Sequence, residues 1–481
     1  MRLIYAAIGL VALLSACAST GDWSSDTSSK TNPNASKAPR VNLQNQSVSK
    51  VYAPSDNLWI RIRDGFRMEP LNSPLEIEQV RWLSARPDYV HRSMARSSRY
   101  LFYIVQEVNA RNMPTEIALL PFVESAFVTH AKSSAKAVGL WQFMPATGKD
   151  FRLTQNVFRD ERRDVVQSTD AALDYLQRLY GQFGSWELAL AAYNWGTGNI
   201  MKAQKKNIAA GLPTDYESLT LPKETRQYVP KLMAYRQIVL DPSAYGIVLP
   251  ELENHPYFVA LDVGNDIDVS LVIKLAEIPS EEFHNLNPSF NKPLILSNAN
   301  QQILLPFAHA EIFQENLKNY SKPLASWTAV KVSKTESLDQ AAKTLGVEPD
   351  TLRDINGIPR GMRIKAGSTV LIPKSTARSG DVPTALAENA SLSLEKPPPP
   401  PAPAPNKCAK TAQNTKGSKG AQQTKCPPVK QAKTTQKTPS KSNSSQNNAG
   451  SQHKSASTEL AKSAKNGSSA NSSTKGASSK Q

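Results

Sequence analysis

A lone carboxylate stands in an apolar stretch that reads Pro121-Phe122-Val123-Glu124-Ser125-Ala126-Phe127. The run Ile117-Ala118-Leu119-Leu120 precedes it, and no further carboxylate follows until Asp150. Burial disfavours the charged form of a carboxyl group and raises its pKa, which is the condition that a general acid needs near neutral pH. The stretch therefore predicts either a buried, satisfied glutamate or a catalytic acid at Glu124, and other parts of the chain have to distinguish the two.

The positive charge of the chain is concentrated at its C-terminal end. The 481 residues carry a formal net charge of +16, and residues 376–481 contribute +12 of it, with 16 Lys and Arg against 4 Asp and Glu. The part that must form the folded domains is therefore nearly balanced. Because the excess lies in a low-complexity tail, it gives no reason to expect nucleic-acid binding by a folded domain.

Residues 1–17 have the pattern of an export signal. Arg2 supplies the positive end, and residues 3–14 form an apolar core that is too short to span a membrane. The core ends in Leu14-Ser15-Ala16-Cys17, which resembles a bacterial lipobox; an ordinary signal peptide with a chance cysteine is the alternative. The resemblance implies a lipid anchor at Cys17. The Ala18 that follows implies sorting to the outer membrane of a Gram-negative bacterium, facing the periplasm.

Composition and periodicity divide the remaining chain into five segments. Residues 18–70 are predicted to be a flexible linker, and residues 71–245 a single all-helical domain, because apolar residues recur there at helical spacing. Residues 250–310 and 326–374 are predicted to be two small α+β modules. Residues 375–481 lack periodicity and are predicted to be disordered.

The two small modules share one layout in their central residues, 257–306 and 327–373. Each reads as a short strand, a helical stretch, a turn that contains asparagine and a second strand that ends in proline. The turns are Asn285-Leu286-Asn287-Pro288 and Asn356-Gly357. Repetition at this period indicates one small module used twice.

Two further clusters accompany Glu124 in the helical domain. The first, Gly139-Leu140-Trp141-Gln142-Phe143-Met144-Pro145, offers an apolar face with one amide. The second, Ala192-Tyr193-Asn194-Trp195-Gly196-Thr197-Gly198, places aromatic rings and an amide at a predicted helix end. Each alone has a plain alternative, because a Trp in a helical domain is usually core and a glycine-rich turn usually ends a helix. Together, and in this order, they predict a sugar-binding cleft around Glu124.

These motifs resemble those of the lytic transglycosylases with a goose-lysozyme-like fold, in which a Glu-Ser pair, Gly-Leu-Trp-Gln and Ala-Tyr-Asn precede a tyrosine on a later helix, here Tyr228. The similarity is to the membrane-bound lytic murein transglycosylase D group, whose members are often lipoproteins with LysM modules. It implies a mainly α protein, with a lysozyme-like catalytic domain followed by βααβ LysM-type modules. The 327–373 module resembles a peptidoglycan-binding LysM domain. The 257–306 module resembles a degenerate one, without the usual Gly-Asp-Thr-Leu turn.

The resemblance also implies a role for each site residue. Glu124 would be the catalytic residue, and the remaining positions would position it or bind substrate. Ser125 would hold the adjacent backbone and the substrate, Ser133 would orient Glu124, Gln142 and Asn194 would bind the sugar or its acetamido group, and Tyr193 and Tyr228 would line the cleft and position Glu124. No metal and no cofactor is implied.

The implied reaction is cleavage of the bond between N-acetylmuramic acid and N-acetylglucosamine in peptidoglycan, without water, to give a 1,6-anhydromuramyl end. Ordinary glycosidases use two carboxylates. None follows Glu124 within 25 residues, although Asp160, Glu161 and Asp164 could approach it in the fold. Two alternatives stay open: a hydrolytic muramidase, which needs a second carboxylate, and a non-catalytic wall-binding lipoprotein. The predicted partners are glycan strands and, through the anchor, a membrane. Nucleic acid is not expected as a partner, and the sequence does not identify any protein partner.

Overall fold

The computed structural model describes residues 40–41, 57–71, 73–299 and 301–398. Residues Arg40–Val41 form a short strand, β1, of which only the backbone is described. The predicted lipidation site Cys17 and residues 399–481 of the predicted disordered tail lie outside the described residues.

The first part of the described chain is an all-helical domain around one large apolar core. Its helices are α1 (Leu58–Asp64), α2 (Pro74–Ser84), α3 (Pro87–Ser97), α4 (Leu101–Ala110), α5 (Leu120–Glu124), α6 (Pro145–Asp150), α7 (Val165–Phe183), α8 (Trp186–Trp195), α9 (Thr197–Ala209) and α10 (Lys223–Leu240), with two 3₁₀ helices at Thr115–Leu119 and Ser243–Tyr245. The long helices α7 and α10 each bury one apolar side, and α2 and α8 pack against α10. The predicted mainly helical domain is confirmed.

The start of this domain differs from the sequence prediction. Asn57 caps α1, whose side chains Leu58, Trp59 and Ile62 are buried in the main core. The Trp59 indole Nε1 also donates to the Pro250 carbonyl at 2.8 Å. The boundary of the predicted linker at residue 70 is therefore wrong, because a seven-residue helix that alternates apolar and arginine residues gives too short a periodic signal to detect.

Two small modules follow the helical domain, each with the predicted strand, helix, helix, strand order. The first contains β2 (Phe258–Asp262), β3 (Ile267–Asp268), α11 (Val269–Ala276), α12 (Ser280–Leu286), β4 (Leu294–Ile295) and β5 (Gln302–Pro306), and α13 (Phe307–Lys318) packs against it. The second contains β6 (Trp327–Lys331), β7 (Glu336–Ser337), α14 (Leu338–Leu345), α15 (Pro349–Asn356), β8 (Arg363–Ile364) and β9 (Thr369–Pro373). The outer strands pair antiparallel, β2 with β5 and β6 with β9, and β1 runs parallel to β2.

One buried asparagine makes the same three hydrogen bonds in both modules. Asn287 donates to the carbonyls of Phe283 and Leu304 at 3.0 and 2.8 Å, and its Oδ1 accepts from the Leu304 amide at 2.7 Å. Asn356 repeats the pattern, donating to two carbonyls at 2.9 Å and accepting from the Leu371 amide at 2.7 Å. Each asparagine joins the end of the second helix to the last strand, so the predicted repeat extends to hydrogen-bonding detail.

Residues 375–398, which we call the strap, are folded rather than disordered. The strap contains α16 (Thr384–Glu388) and β10 (Leu394–Glu395), and β10 pairs antiparallel with β8. Its apolar residues join a cluster contributed by the helical domain, both modules and the strap: Phe158, Leu294, Leu296, Ala299, Ala325, Ala329, Leu371, Val382, Ala387 and Ala390. The boundary of the predicted disordered tail at residue 375 is therefore wrong. The strap has no periodic pattern of its own because its apolar residues pack on partners distant in the chain.

Candidate active site

Glu124 ends α5, and a strained turn holds it there. The next residues, Ala126 and Phe127, have φ angles of +49° and +59°, in the left-handed region that costs energy for residues other than glycine. The Phe127 ring is buried and packs edge-on against Phe122, with ring centroids 4.5 Å apart. Core packing therefore fixes the turn, and the turn leaves the Glu124 side chain half-buried at the helix end.

The Tyr228 hydroxyl donates a hydrogen bond to Oε1 of Glu124 from the middle of α10. Burial raises the pKa of Glu124 to about 7, and the Tyr228 hydrogen bond opposes part of this rise. The Tyr228 ring is itself buried, which raises the pKa of its hydroxyl and keeps it a donor. Tyr228 therefore directly contacts the carboxyl group that it was expected to position.

Two charged residues on α10 also act on Glu124, and sequence reasoning missed both. Glu224 raises the pKa of the Glu124 carboxyl and Lys231 lowers it, by smaller amounts than burial and the Tyr228 hydrogen bond. They lie four residues before and three after Tyr228, so they share a helix face with it. Once Tyr228 is chosen as a site residue, this helical spacing predicts that Glu224 and Lys231 lie near it.

The carboxylates that could have approached Glu124 are engaged elsewhere. Asp160 pairs with Arg162 at 2.7 Å, and Glu161 pairs with Arg159 at 3.1 Å. Asp164 caps α7, accepting from the Val166 and Gln167 amides at 3.0 Å. None of the three is among the charges that shift the pKa of Glu124.

The Gly139 cluster forms a tight turn fastened to the end of α5. The Ser125 hydroxyl donates to the Leu140 carbonyl at 3.0 Å, and to the Pro121 carbonyl at 3.2 Å. Gly139 has φ +84°, and a Cβ there would lie 2.3 Å from the Arg162 carbonyl oxygen, so only glycine fits. Ser125 thus joins the end of α5 to the Gly139 turn.

The sequence predicted that the side chains of this turn form an apolar face for a sugar, but the aromatic rings are buried in the protein. Trp141 is fully buried and its indole donates to the Thr169 hydroxyl at 2.9 Å, and Phe143 is buried too, so neither ring can stack on a sugar. Gln142, at φ +49°, donates its amide to the Gly139 carbonyl at 2.8 Å. Its Oε1 has no hydrogen-bond partner within the described residues and stays available to a ligand.

The Ala-Tyr-Asn cluster lies at the C-terminal end of α8 and joins two other parts of the site. The Tyr193 hydroxyl donates to the Trp141 carbonyl at 2.8 Å, which ties α8 to the Gly139 turn. Asn194 Oδ1 accepts from the Thr225 hydroxyl at 2.8 Å, which ties α8 to α10. The Asn194 amide nitrogen has no hydrogen-bond partner in the described part of the chain, so it can donate to a ligand.

Ser133 is placed differently from the implied role. Its hydroxyl accepts from the Ala137 amide at 3.0 Å, and the described residues show no hydrogen bond between Ser133 and Glu124. The serine stabilises the turn that leads into Gly139.

The described residues show no metal-binding or membrane-spanning element. No group of three or more His, Cys, Asp or Glu side chains among them could hold a metal ion. Within the same residues, no helix combines the length and the apolar character that crossing a membrane requires.

Comparisons with known proteins agree with this geometry. Residues 103–211 match the family model described as the Transglycosylase SLT domain, and residues 257–322 match the model described as the lytic transglycosylase MltD, LysM-like domain. The first match contains Glu124 and both accompanying clusters. The class that the fold and the site define is therefore the lytic transglycosylases.

Among curated proteins, the chain is 34% identical over 375 residues to the membrane-bound lytic murein transglycosylase D of Escherichia coli (strain K12), covering 75% of this chain and 82% of that one. With this identity over most of both chains, the protein belongs to the membrane-bound lytic murein transglycosylase D family. It is also 41% identical over 128 residues to a putative tributyltin chloride resistance protein of Alteromonas sp. (strain M-1), covering 26% of this chain and 58% of that one.

Among solved structures, a lytic transglycosylase Slt from Pseudomonas aeruginosa is 26% identical, with a TM-score of 0.24. The match covers 34% of this chain and 26% of that one.

Proposed function

We propose that the protein cleaves the β-1,4 bond between N-acetylmuramic acid and N-acetylglucosamine in peptidoglycan, without water, and leaves a 1,6-anhydromuramyl end. The observation that carries this proposal is the half-buried Glu124 carboxyl, whose pKa burial raises to about 7 and which Tyr228 holds by a hydrogen bond. A carboxyl with this pKa exists in both protonation states near neutral pH. It can therefore give a proton and take one back in a single turnover.

The chemistry needs one carboxyl group used twice. Protonated Glu124 gives its proton to the glycosidic oxygen, and the bond from that oxygen to the muramyl anomeric carbon breaks. The resulting carboxylate then takes the proton of the muramyl C6 hydroxyl, whose oxygen bonds to the same anomeric carbon. Glu124 ends protonated again, and no water is consumed. Because the attacking hydroxyl belongs to the substrate, it is already positioned, and a second protein carboxylate is not required.

In this proposal the other site residues hold the elements around Glu124 together or bind the sugar. Ser125 and Tyr193 join α5, the Gly139 turn and α8 through backbone carbonyls. The available Gln142 oxygen and Asn194 amide nitrogen are suited to the hydroxyl and acetamido groups of the sugar. In this proposal Ser133 acts only through the turn that it stabilises.

Hydrolysis on the same fold is the competing chemistry, and one observation favours testing it. The negative charge of the exposed Glu224 raises the pKa of the Glu124 carboxyl, so a second carboxylate lies within electrostatic reach of Glu124. Isotopic labelling separates the two reactions. Digestion of purified sacculi in H₂¹⁸O should give anhydromuramyl products without ¹⁸O, as read by mass spectrometry; reducing muramic ends that carry ¹⁸O would establish the muramidase instead.

The non-catalytic alternative is decided by Glu124→Gln. This variant should release anhydromuropeptides at least about a thousandfold more slowly than the parent, because glutamine cannot give a proton to the leaving oxygen. The exposed Glu217→Gln is the matched control and should retain the parent rate. Release by the parent no faster than in a blank without protein would leave only a wall-binding role. Equal release by Glu124→Gln and the parent would instead overturn Glu124 as the acid.

We further propose that the protein is an outer-membrane lipoprotein facing the periplasm, anchored at Cys17, and that its modules bind peptidoglycan. The lipobox-like sequence and the membrane-bound relative support the anchor. Cys17→Ser should move the protein from the membrane to the soluble fraction and abolish labelling by a radioactive fatty acid. Retention of Cys17→Ser in the outer-membrane fraction would contradict the anchor.

A further inference from the structure

A groove of about 450 Å³ lies between α2 and α10. It is lined by the buried side chains of Leu83, Phe122 and Tyr235, and by Val123, the residue before Glu124 in the chain. The two helices that form its walls lie outside residues 103–211, which match the Transglycosylase SLT domain. The groove is therefore added to the catalytic domain by flanking segments of this chain.

The α10 wall presents a basic stripe. Lys223, Gln227 and Lys231 recur every four residues and line the groove together. Tyr228, three residues before Lys231, borders this stripe and reaches Glu124. The same helix therefore contacts Glu124 and lines the groove.

Both lysines of the stripe are free to bind a ligand. Within the described residues neither Lys223 nor Lys231 forms an ion pair. By contrast Arg99, also in the helical domain, is paired with Glu282 at 2.8 Å. Unpaired ammonium groups along a concave surface are suited to a ligand that carries carboxylates.

The α2 wall offers an exposed aromatic ring in a fixed orientation. Trp82 remains 43% exposed, yet its ring lies edge-on to Tyr89 at 5.5 Å and under the Arg86 guanidinium at 4.4 Å. The same wall carries Glu78, a single acid opposite the two ammonium groups. A ligand with an aliphatic part and more than one carboxylate matches this combination.

We propose that the groove binds the acidic peptide attached to the muramyl residue of the substrate, with Lys223 and Lys231 receiving its carboxylates and Trp82 packing on its aliphatic part. This proposal rests on the proposed function, because a strand cut at Glu124 places a muramyl-linked peptide next to the groove. Lys223 and Lys231 are then specificity residues that favour strands whose peptides are still attached.

The test compares two substrates for one protein. Uncrosslinked strands with peptides, and the same strands after an amidase has removed the peptides, are digested by the full chain, and kcat/KM is obtained from anhydromuramyl ends. In Lys223→Gln/Lys231→Gln the ratio of kcat/KM, peptide-bearing over peptide-free, should fall about tenfold, mainly through KM on peptide-bearing strands. Any effect of Lys231 on the pKa of Glu124 changes both substrates alike and cancels in the ratio.

The matched control is Lys202→Gln/Lys205→Gln, which removes two exposed lysines of α9 and should leave the ratio at the parent value. A parent-like ratio in Lys223→Gln/Lys231→Gln, or an equal loss on both substrates, would overturn the peptide site. Absence of anhydromuramyl ends from the parent itself would instead overturn the proposed function. Binding of the two kinds of strand to Glu124→Gln protein gives a ratio of affinities without catalysis. The two lysine changes, added to Glu124→Gln, should lower this affinity ratio as they lower the kcat/KM ratio.

Discussion

Tyr228 donates a hydrogen bond to Oε1 of Glu124 across 104 residues of chain. The bond joins the middle of α10 to the end of α5, so the packing of these helices sets the geometry of the Glu124 carboxyl. It also opposes the rise in the Glu124 pKa that burial causes. The protonation state of Glu124 is thus set by two opposed effects, and each can be changed separately.

Tyr228→Phe should move the pH dependence of the reaction. It removes the donor that stabilises the charged carboxylate, so the pKa of Glu124 rises above its parent value of about 7. Because the first step needs protonated Glu124, the fall of kcat/KM with rising pH should shift to higher pH. The maximal rate should drop on the order of ten- to a hundredfold, because the carboxyl is less well held. Profiles from pH 5 to pH 9 measure both. The exposed Tyr180→Phe should keep the parent profile, and an unshifted limb in Tyr228→Phe would contradict the assignment.

Glu124→Gln should stabilise the fold at alkaline pH. Because the folded-state pKa is raised from 4.5 to about 7, the native state keeps a proton that the unfolded chain loses in that window. The contribution of Glu124 to stability is therefore full below pH 4.5 and is lost as pH rises through 7. The variant should exceed the parent in Tm at pH 8, with a smaller difference at pH 4. Glu217→Gln changes an exposed residue and should show no such pH-dependent gain in Tm. If the Tm of Glu124→Gln lay below that of the parent at pH 8, the raised pKa of Glu124 would be contradicted.

Ser125→Ala should loosen the contact between α5 and the Gly139 turn. The change removes the hydroxyl that donates to the Leu140 carbonyl at 3.0 Å and should cost about 1 kcal/mol of unfolding free energy. Activity should fall about tenfold, because Glu124 lies next to the loosened residue. Ser98→Ala, which removes a 2.8 Å bond to the Ala95 carbonyl at the end of α3, controls for losing a serine bond and should leave activity intact. Equal activity in both variants would show that Ser125 is not needed for positioning.

Gly139→Ala should damage the site through the backbone. The new Cβ would lie 2.3 Å from the Arg162 carbonyl oxygen at a φ of +84°, so stability should fall. The loss should be about 2–4 kcal/mol, with activity falling too. The matched control is Gly181→Ala in α7, where no atom lies within 4 Å of the added Cβ. That change should be neutral or stabilise by about 1 kcal/mol, because alanine is the better helix former. Urea unfolding gives the unfolding free energy of both variants. Equal values for Gly139→Ala and Gly181→Ala would show that a Cβ at residue 139 does not clash with the Arg162 carbonyl.

A matched pair of substitutions in α16 tests whether the strap is folded. Ala387 is buried in the cluster shared by the strap, both modules and Phe158, whereas Ala385, two residues earlier, is exposed. Ala387→Asp should therefore destabilise by about 3 kcal/mol and make the strap sensitive to protease, because it buries a charge without a partner. Ala385→Asp should change neither property. Identical protease patterns for the two variants would mean that the strap does not pack as described.

Much of the organisation follows from local sequence pattern. Helical periodicity identifies most of the helical domain, and in the structure Asp164 and Ser185 cap α7 and α8. The repeated strand, helix and asparagine-containing turn identifies the two modules. Errors occur at the edges, at α1 and the strap, because both are short and pack against residues far away in the chain. Local pattern carries no signal for such packing.

The sequence by itself determined which carboxyl is the candidate acid, because Glu124 combines an apolar segment with the Gly139 and Ala-Tyr-Asn clusters that follow it. Only the tertiary structure decided how the site residues are used: Trp141 is core, Gln142 and Ser133 bond to backbone, and Glu224 and Lys231 act on Glu124. The physical reason is that burial, hydrogen bonds and charge act over a few ångströms of space. Residues that are close in space can be a hundred apart in the chain, and composition or spacing does not record which of them meet.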